Sequence, residues 1–383
     1  MYDEDRTFLA IPGPVEIHPR VYAAMNKHLY GHRTSFFREI YKQCDEKFRQ
    51  TINTKNPIQF HAGSGSLGLH TSITNFVQAE DHVLNLVNGK FGERVEKITS
   101  RFTRNSHSLK VPYGHGITAD MVKQEFEKNA DIKFVTITHN ETSTGVLNPL
   151  EEISKVVHDH GALLMADCIT SAGGDLVEMD NWNIDIFVSG SQKCYGLPPG
   201  LAFIALSQAA DERLNEVPRN NDFYSDLLQF REGVKKGDTP FTPPVSLFYG
   251  LNETLDIIHE EGMDKRIQRH RTMGMLYRNA IEAMGLELFA QPEFRSNTVT
   301  TAKVPDNVDS SKLSKVMLEL GIMIAGGQGT MKGKIFRIGH MNLVGPRELL
   351  MIVAALEIAL KKAGANISLS SGVSTIQQYL ADQ

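Results

Sequence analysis

The chain has 383 residues, 41% hydrophobic and 22% charged, with 40 basic against 45 acidic side chains for a net charge of −5. That composition excludes extended disorder and suits a large core built without disulfides. The lack of a basic excess argues against a general nucleic-acid binder and points to a small-molecule partner.

The opening, MYDEDRTFLAIPGP, is acidic and has no long apolar run, so it does not read as a signal peptide. PIQFHA (57–62) reads as a short buried strand, followed by a helix from Ser66 to about Gln78. HVLNLV (82–87) and KFVTIT (133–138) are further strands. A helix is predicted over 149–160, with Asn148 as its cap, Pro149 at its first position, Glu151 at capping-box-like spacing and Gly161 as its stop. ALLMA (162–166), IDIFVS (184–189) and LAFIAL (201–206) are unbroken apolar runs, suited to strands covered on both faces. This alternation predicts an α/β fold with a mostly parallel central sheet sandwiched by helices.

Beyond about residue 240 the pattern changes. Pro240, Pro243 and Pro244 interrupt it, and a long helical region spans 245–284. Strands (298–304, 334–338) then alternate with helices (309–320, 346–363), the last helix aligning Leu349, Ile352, Val353, Leu356 and Leu360 on one face. The expected organisation is an N-terminal arm (1–20), a large domain (21–260) and a smaller α/β C-terminal domain (261–383). The apolar stretch 349–360 is too short to span a membrane. Cys44, Cys168 and Cys194 lack metal-ligand spacing, and His158 and His160 do not share a helix face, so no metal site is expected. Three scattered cysteines fit a reducing compartment, and a cytoplasmic location is expected.

In open α/β sheets, ligands bind beyond the carboxyl ends of the strands. Three segments fall there. Gly63-Ser64-Gly65-Ser66-Leu67-Gly68 lies between a strand and a helix. Its glycines and the helix N-terminus suit a phosphate. It also matches the G-x-G-x-x-G of dinucleotide sites, but the next strand runs into Asn88-Gly89 where a ribose-binding acid would stand. A plain tight turn is the bland alternative. Asp167 ends an apolar strand, as a helix cap, as half of a buried ion pair, or as a fixed anion facing a cationic ring nitrogen. Lys193, in Ser189-Gly190-Ser191-Gln192-Lys193, is a solvated loop lysine or an amine deprotonated by burial. Cup, carboxylate and lysine together suit pyridoxal 5'-phosphate (PLP).

Ordered motifs extend the pattern along nearly the whole chain: Ile11-Pro12-Gly13-Pro14, Gly31-His32-Arg33, Gly63–Gly68, His139-Asn140-Glu141-Thr142-Ser143-Thr144-Gly145, Asp167, Ser189–Lys193 with Pro198-Pro199-Gly200, and Phe336-Arg337-Ile338-Gly339. In these the chain resembles class V aminotransferases, PLP enzymes of fold type I, and most of all the alanine/serine–glyoxylate (serine–pyruvate) branch. The resemblance implies that Lys193 carries the cofactor as a Schiff base and that Asp167 partners the ring nitrogen. It implies phosphate contacts from Ser64, Gly65, Ser66 and Gln192, and from Thr242 of the other subunit. Thr142 would lie near the ring oxygen, Ile169 on one ring face, and Arg337 on the substrate carboxylate. Phe91 stands where the family often stacks a tryptophan, and Ser66 where it often has histidine. The implied activity is amino-group transfer from alanine, serine or aspartate to glyoxylate or pyruvate in a ping-pong cycle, by a homodimer. A class V lyase such as a cysteine desulfurase would need a nucleophilic cysteine on a mobile loop, usually in the C-terminal half, and none follows Cys194. A nicotinamide-dependent dehydrogenase would leave the Lys193 segment unexplained.

Overall fold

The structure is a computed structural model that describes residues 7–218 and 222–383; the first six residues of the expected arm lie outside the described residues. The chain enters as a two-residue strand, β1 (Phe8–Leu9), and passes through helices α1 (Pro19–Met25) and α2 (Ser35–Thr51). The central sheet follows. Its strands are β2 (Ile58–Ala62), β3 (His82–Val87), β4 (Ser106–Lys110), β5 (Ile132–Thr138), β8 (Leu163–Asp167), β9 (Ile186–Gly190) and β10 (Leu201–Leu206). They lie in the order β2-β10-β9-β8-β5-β3-β4. Strands β9, β8, β5, β3 and β4 pair in parallel, whereas β10 runs antiparallel to both neighbours. The sheet is thus mixed but mostly parallel, in accord with the sequence reading. All residues of β9 and β10 are buried, because helices cover both faces. On one side α3 (Gly65–Phe76) presses Leu69 and Ile73 against Val188 and Ile204. On the other, α2 and α9 (Val245–Glu261) pack Phe48 and Phe248 against Phe60 and Phe203.

Between β5 and β8, a small hairpin of β6 (Asn140–Glu141) and β7 (Val146–Leu147) carries the 139–145 motif. A second core lies in the C-terminal part. It joins helices α10 (Met263–Ala283), α11 (Ser310–Glu319), α12 (Pro346–Ala363) and α13 (Ser371–Ala381) to an antiparallel sheet. That sheet consists of β11 (Val299–Lys303), β14 (Ile335–Gly339) and β13 (Ala325–Gly326), with β14 in the middle. The five aligned residues of α12 are all inside it. The arm joins this core too: β1 pairs with β12 (Ile322–Met323), and Ala10 is buried among its residues.

Several expectations need correction. The helix over 149–160 runs Leu150–Asp159 as α6, with Pro149 rather than Asn148 in the cap position and no side-chain cap bond. Asn148 is spent elsewhere: its amide donates to the Thr138 carbonyl, and its oxygen accepts from Asn88 and Ile117. The helical region 245–284 is two helices broken at Gly262, which takes a φ of +81° that favours glycine. Strand β4 and helices α4 (Lys90–Thr99), α5 (Ala119–Lys128), α7 (Gln208–Glu216) and α8 (Leu227–Lys235) were not foreseen. Among the described residues, no helix is long and apolar enough to cross a membrane.

Candidate active site

The carboxyl ends of β5, β8 and β9 converge with the start of α3 on a cavity of about 160 Å³. Eight residues singled out in the sequence border it: Gly65, Ser66, Phe91, Thr142, Asp167, Ile169, Gln192 and Lys193. Three others do not. Ser64 precedes α3 and lends its carbonyl to the amides of Leu67 and Gly68. Thr242 is exposed in the proline-rich segment. Arg337 lies behind Thr142, outside the cavity wall.

Asp167 is the last residue of β8, nearly fully buried, and one of its oxygens accepts the Ile169 amide at 3.0 Å. Burial pushes its pKa up to about 7, against that hydrogen bond, which favours the anion. Lys193 follows β9 in a loop held by Ser191, whose hydroxyl donates to the Pro198 carbonyl at 2.7 Å and accepts the Leu201 amide. Burial lowers the Lys193 pKa to about 8; Arg337 and Arg94 add to the fall, and Asp167 opposes it. The ammonium donates to the carbonyl of Pro12, so the arm closes over it. Gly13 makes this approach feasible: its φ is +106°, and a Cβ there would meet the Lys193 side chain.

Helix starts frame the cavity. The amides of Gly65 and Ser66 open α3 and have no intrahelical acceptor, which suits an anion. Ile169 packs so closely on Gly65 that a Cβ at that position would strike its Cδ1. Phe91 is the second residue of α4, and no local side chain caps that helix. Its cap comes from Glu141, fifty residues away in β6, whose buried carboxylate accepts the Phe91 and Gly92 amides at 3.0 Å each. The other oxygen accepts the amide and hydroxyl of Ser143. Burial raises the Glu141 pKa, and these bonds oppose the rise.

Arg337, in the middle of β14, is also buried. Its Nε and Nη2 donate to the Gly326 carbonyl and its Nη1 to the Thr142 carbonyl at 3.1 Å. Its partners are backbone carbonyls, and among the described residues no Asp or Glu forms an ion pair with it. Arg33 grips the proline-rich segment through Asp238 and the carbonyls of Thr239 and Pro240, away from the cavity. Cys168 and Cys194 are fully buried, and burial pushes the Cys194 thiol up to about 12 and that of Cys168 higher still. Neither suits a nucleophile.

Two residues with evident parts in this geometry received no role from the sequence: Glu141, the distant cap, and Arg94, which borders the cavity. A buried acid inside an otherwise neutral motif was the one available signal for Glu141. For Arg94 the signal is its spacing of three residues from Phe91, which shares a helix face with it only if α4 is foreseen.

The cavity is furnished for a polar ligand. Thr138 Oγ1, Asn140 Oδ1 and Gln192 Oε1 all border it, buried and without a partner. Buried polar atoms are ordinarily hydrogen-bonded. A lysine of lowered pKa, a buried carboxylate and a helix start suited to an anion, on one cleft of a mostly parallel sheet, fit an enzyme of the aminotransferase kind. The chain belongs to the aminotransferase class-V family, whose model matches residues 15–343. It is 41% identical over 380 residues to an uncharacterised aminotransferase of Methanocaldococcus jannaschii, covering 99% of this chain and 98% of that protein. It is 36% identical over 385 residues to a protein of Synechococcus named the small subunit of a soluble hydrogenase, covering 99% of both. It is 32% identical over 376 residues to the L-aspartate–glyoxylate aminotransferase of Paracoccus denitrificans, covering 96% and 95%. Among solved structures, pyridoxamine–pyruvate aminotransferase from Mesorhizobium loti superposes with a TM-score of 0.95 at 28% identity over the full length of both chains.

Proposed function

We propose that this protein is a PLP-dependent aminotransferase that moves an amino group from a small L-amino acid (alanine, serine or aspartate) to glyoxylate or pyruvate in a ping-pong cycle. The observation that carries this reading is the pairing of Lys193, with its pKa lowered to about 8, and buried Asp167 in one cavity. The glyoxylate and pyruvate acceptors named for two relatives agree with it. The hydrogenase name of another relative finds no support in the donor set, since no group of three or more His, Cys, Asp or Glu among the described residues is arranged to hold a metal.

When bound, PLP supplies an electron sink for the carbon that loses a proton. Lys193 would be its covalent anchor, and the free amine of this side chain would be the base that takes the substrate's α-proton and the acid that returns it. A pKa near 8 leaves a usable fraction of free amine at neutral pH. Asp167 would partner the ring nitrogen and favour its protonated form. A cation beside it would favour the ionised form of the Asp167 carboxylate and so oppose the effect of burial. Gly65, Ser66 and Gln192 hold the phosphate, together with Ser64 from the helix cap and Thr242 from the partner subunit of a homodimer. Phe91 and Ile169 would enclose the ring, and Thr142 would donate toward its oxygen. Arg337 turns part of its planar fork from the Gly326 and Thr142 carbonyls to the substrate carboxylate. In this reading the large domain (21–260) supplies the cavity, the arm (1–20) adds the Pro12 carbonyl over Lys193 and the small domain (261–383) sets Arg337 behind Thr142, and the three buried free thiols agree with a cytoplasmic enzyme.

The test is borohydride reduction of PLP-loaded protein followed by peptide mapping. The label is expected on Lys193; a label elsewhere, or none, overturns the reading. A donor-by-acceptor matrix on the same preparation then identifies the substrates.

A further inference from the structure

Arg94 borders the cavity and forms no ion pair among the described residues. It lies one turn into α4, and its guanidinium carbon is 4.9 Å from the centre of the Phe91 ring. Its Nη1 donates to Ser66 Oγ at 2.9 Å. That bond ties it to the first turn of α3, beside the unsatisfied amides of Gly65 and Ser66. A guanidinium carries five N–H donors, and no carboxylate of the described residues forms an ion pair with Arg94. Arg337 differs, since each of its three nitrogens already donates to a carbonyl.

A phosphate ester carries close to two negative charges near neutral pH. A helix start supplies only about half a positive charge, together with its free amides. The cup as read from the sequence contains amides, hydroxyls and an amide side chain, and no cation. Resting on the reading of this cavity as a PLP site, we propose that Arg94 is the cationic arm of the phosphate cup. Ser66 orients its guanidinium, and the remaining N–H groups bond the phosphate oxygens. The second carboxylate of an acidic substrate is the rival ligand for this side chain. The Ser66 bond favours the phosphate, because it holds the guanidinium at the helix start rather than beside the Lys193 amine.

The experiment compares apoprotein of the wild type, Arg94→Gln, Arg94→Lys and Ser66→Ala by absorbance titration with PLP and, separately, with pyridoxal, which lacks the phosphate. Arg94→Gln is expected to raise the PLP dissociation constant on the order of tenfold, equal to about 1.4 kcal/mol. Pyridoxal binding should stay unchanged. Arg94→Lys should recover part of the loss, and Ser66→Ala should show a smaller loss of the same kind. Inorganic phosphate should compete with PLP less well in Arg94→Gln than in the wild type. Equal losses for PLP and pyridoxal would overturn the proposal, assigning Arg94 to the support of Phe91 instead. Unchanged PLP binding with a raised KM for acidic donors would also overturn it. Failure of the wild type itself to bind PLP is a separate outcome that removes the underlying functional reading.

Discussion

Glu141 offers the sharpest test of how the cleft is held together. Its carboxylate accepts four hydrogen bonds, two on each oxygen, from Phe91 N, Gly92 N, Ser143 N and Ser143 Oγ. All of them are donors, so the ionised form satisfies them best. Glu141→Gln keeps one accepting oxygen for α4 but turns an NH₂ group toward the Ser143 amide, leaving that buried donor unpaired. An unpaired buried donor costs about 1–3 kcal/mol, and the surviving bonds lose their charge assistance. Removal of a buried charge recovers part of that, because its desolvation is no longer needed. The net expectation is a loss of about 2 kcal/mol for Glu141→Gln, and about 4 kcal/mol for Glu141→Ala, which orphans three buried amides. Equilibrium unfolding in urea, followed by intrinsic fluorescence without cofactor, reads these values. A second readout is local: amide hydrogen exchange in the first turn of α4 should quicken more than in α6. Glu141→Ala within about 0.5 kcal/mol of the wild type would refute the argument, since surface substitutions alone reach that size.

Three other outcomes follow from the same geometry. In apoprotein, labelling of Lys193 by a small amine-reactive reagent should titrate with a midpoint near pH 8, so roughly a tenth of the molecules carry the free amine at pH 7. Asp167 raises that pKa, so Asp167→Asn should move the midpoint down; a rise, or a midpoint near the 10.5 of an ordinary lysine, would contradict the burial argument. Gly13→Ala puts a methyl group into the Lys193 side chain at a φ of +106°. It should slow Lys193 labelling and lower kcat, and the strain of that φ should also cost about 1 kcal/mol or more in unfolding; normal labelling would sink this account. Arg266, 2% exposed, donates to the carbonyls of Gly173 and Cys194, to Asn342 and to Glu261. Arg266→Met should cost about 3 kcal/mol in unfolding, the lower end for breaking a buried ion pair; a shift below about 1 kcal/mol would mean the neighbouring Arg269 suffices.

The parts of the site that were legible in the sequence are those whose signals are local. Asp167 directly follows one apolar run and Lys193 lies just past another, so strand-end logic finds them without any long-range information. The glycine loop announces its own turn, and the aligned apolar face of α12 announces its own helix. The residues that escaped depend on contacts distant in sequence. Helix α4 starts with no capping side chain of its own, because Glu141 performs that task from another strand pair. Without the helix, Arg94 is only one more charged residue in a polar segment. Strand β4, SHSLK, sits at the sheet edge and is only partly buried, so it lacks the apolar run that marks β9 and β10. Asn148 followed by Pro149 is a sound capping signal that loses to a tertiary demand: buried Asn88 and Thr138 need partners, and Asn148 supplies them.

The same contrast explains how a lysine of lowered pKa is held in place. Desolvation alone would favour a lysine that swings out to water, since burial lowers the stability of its charged form. The chain opposes this from two directions. The Pro12 carbonyl accepts from the ammonium on one side, while Arg266 fastens the Cys194 carbonyl, the next residue along, from the other. Pro12 belongs to the arm that pairs with β12, and Arg266 to α10, so both tethers come from elements of the C-terminal core. The sheet supplies the position of the amine and the second core supplies its confinement. Loosening the second core should therefore raise the Lys193 pKa toward that of a free lysine before it disturbs the central sheet.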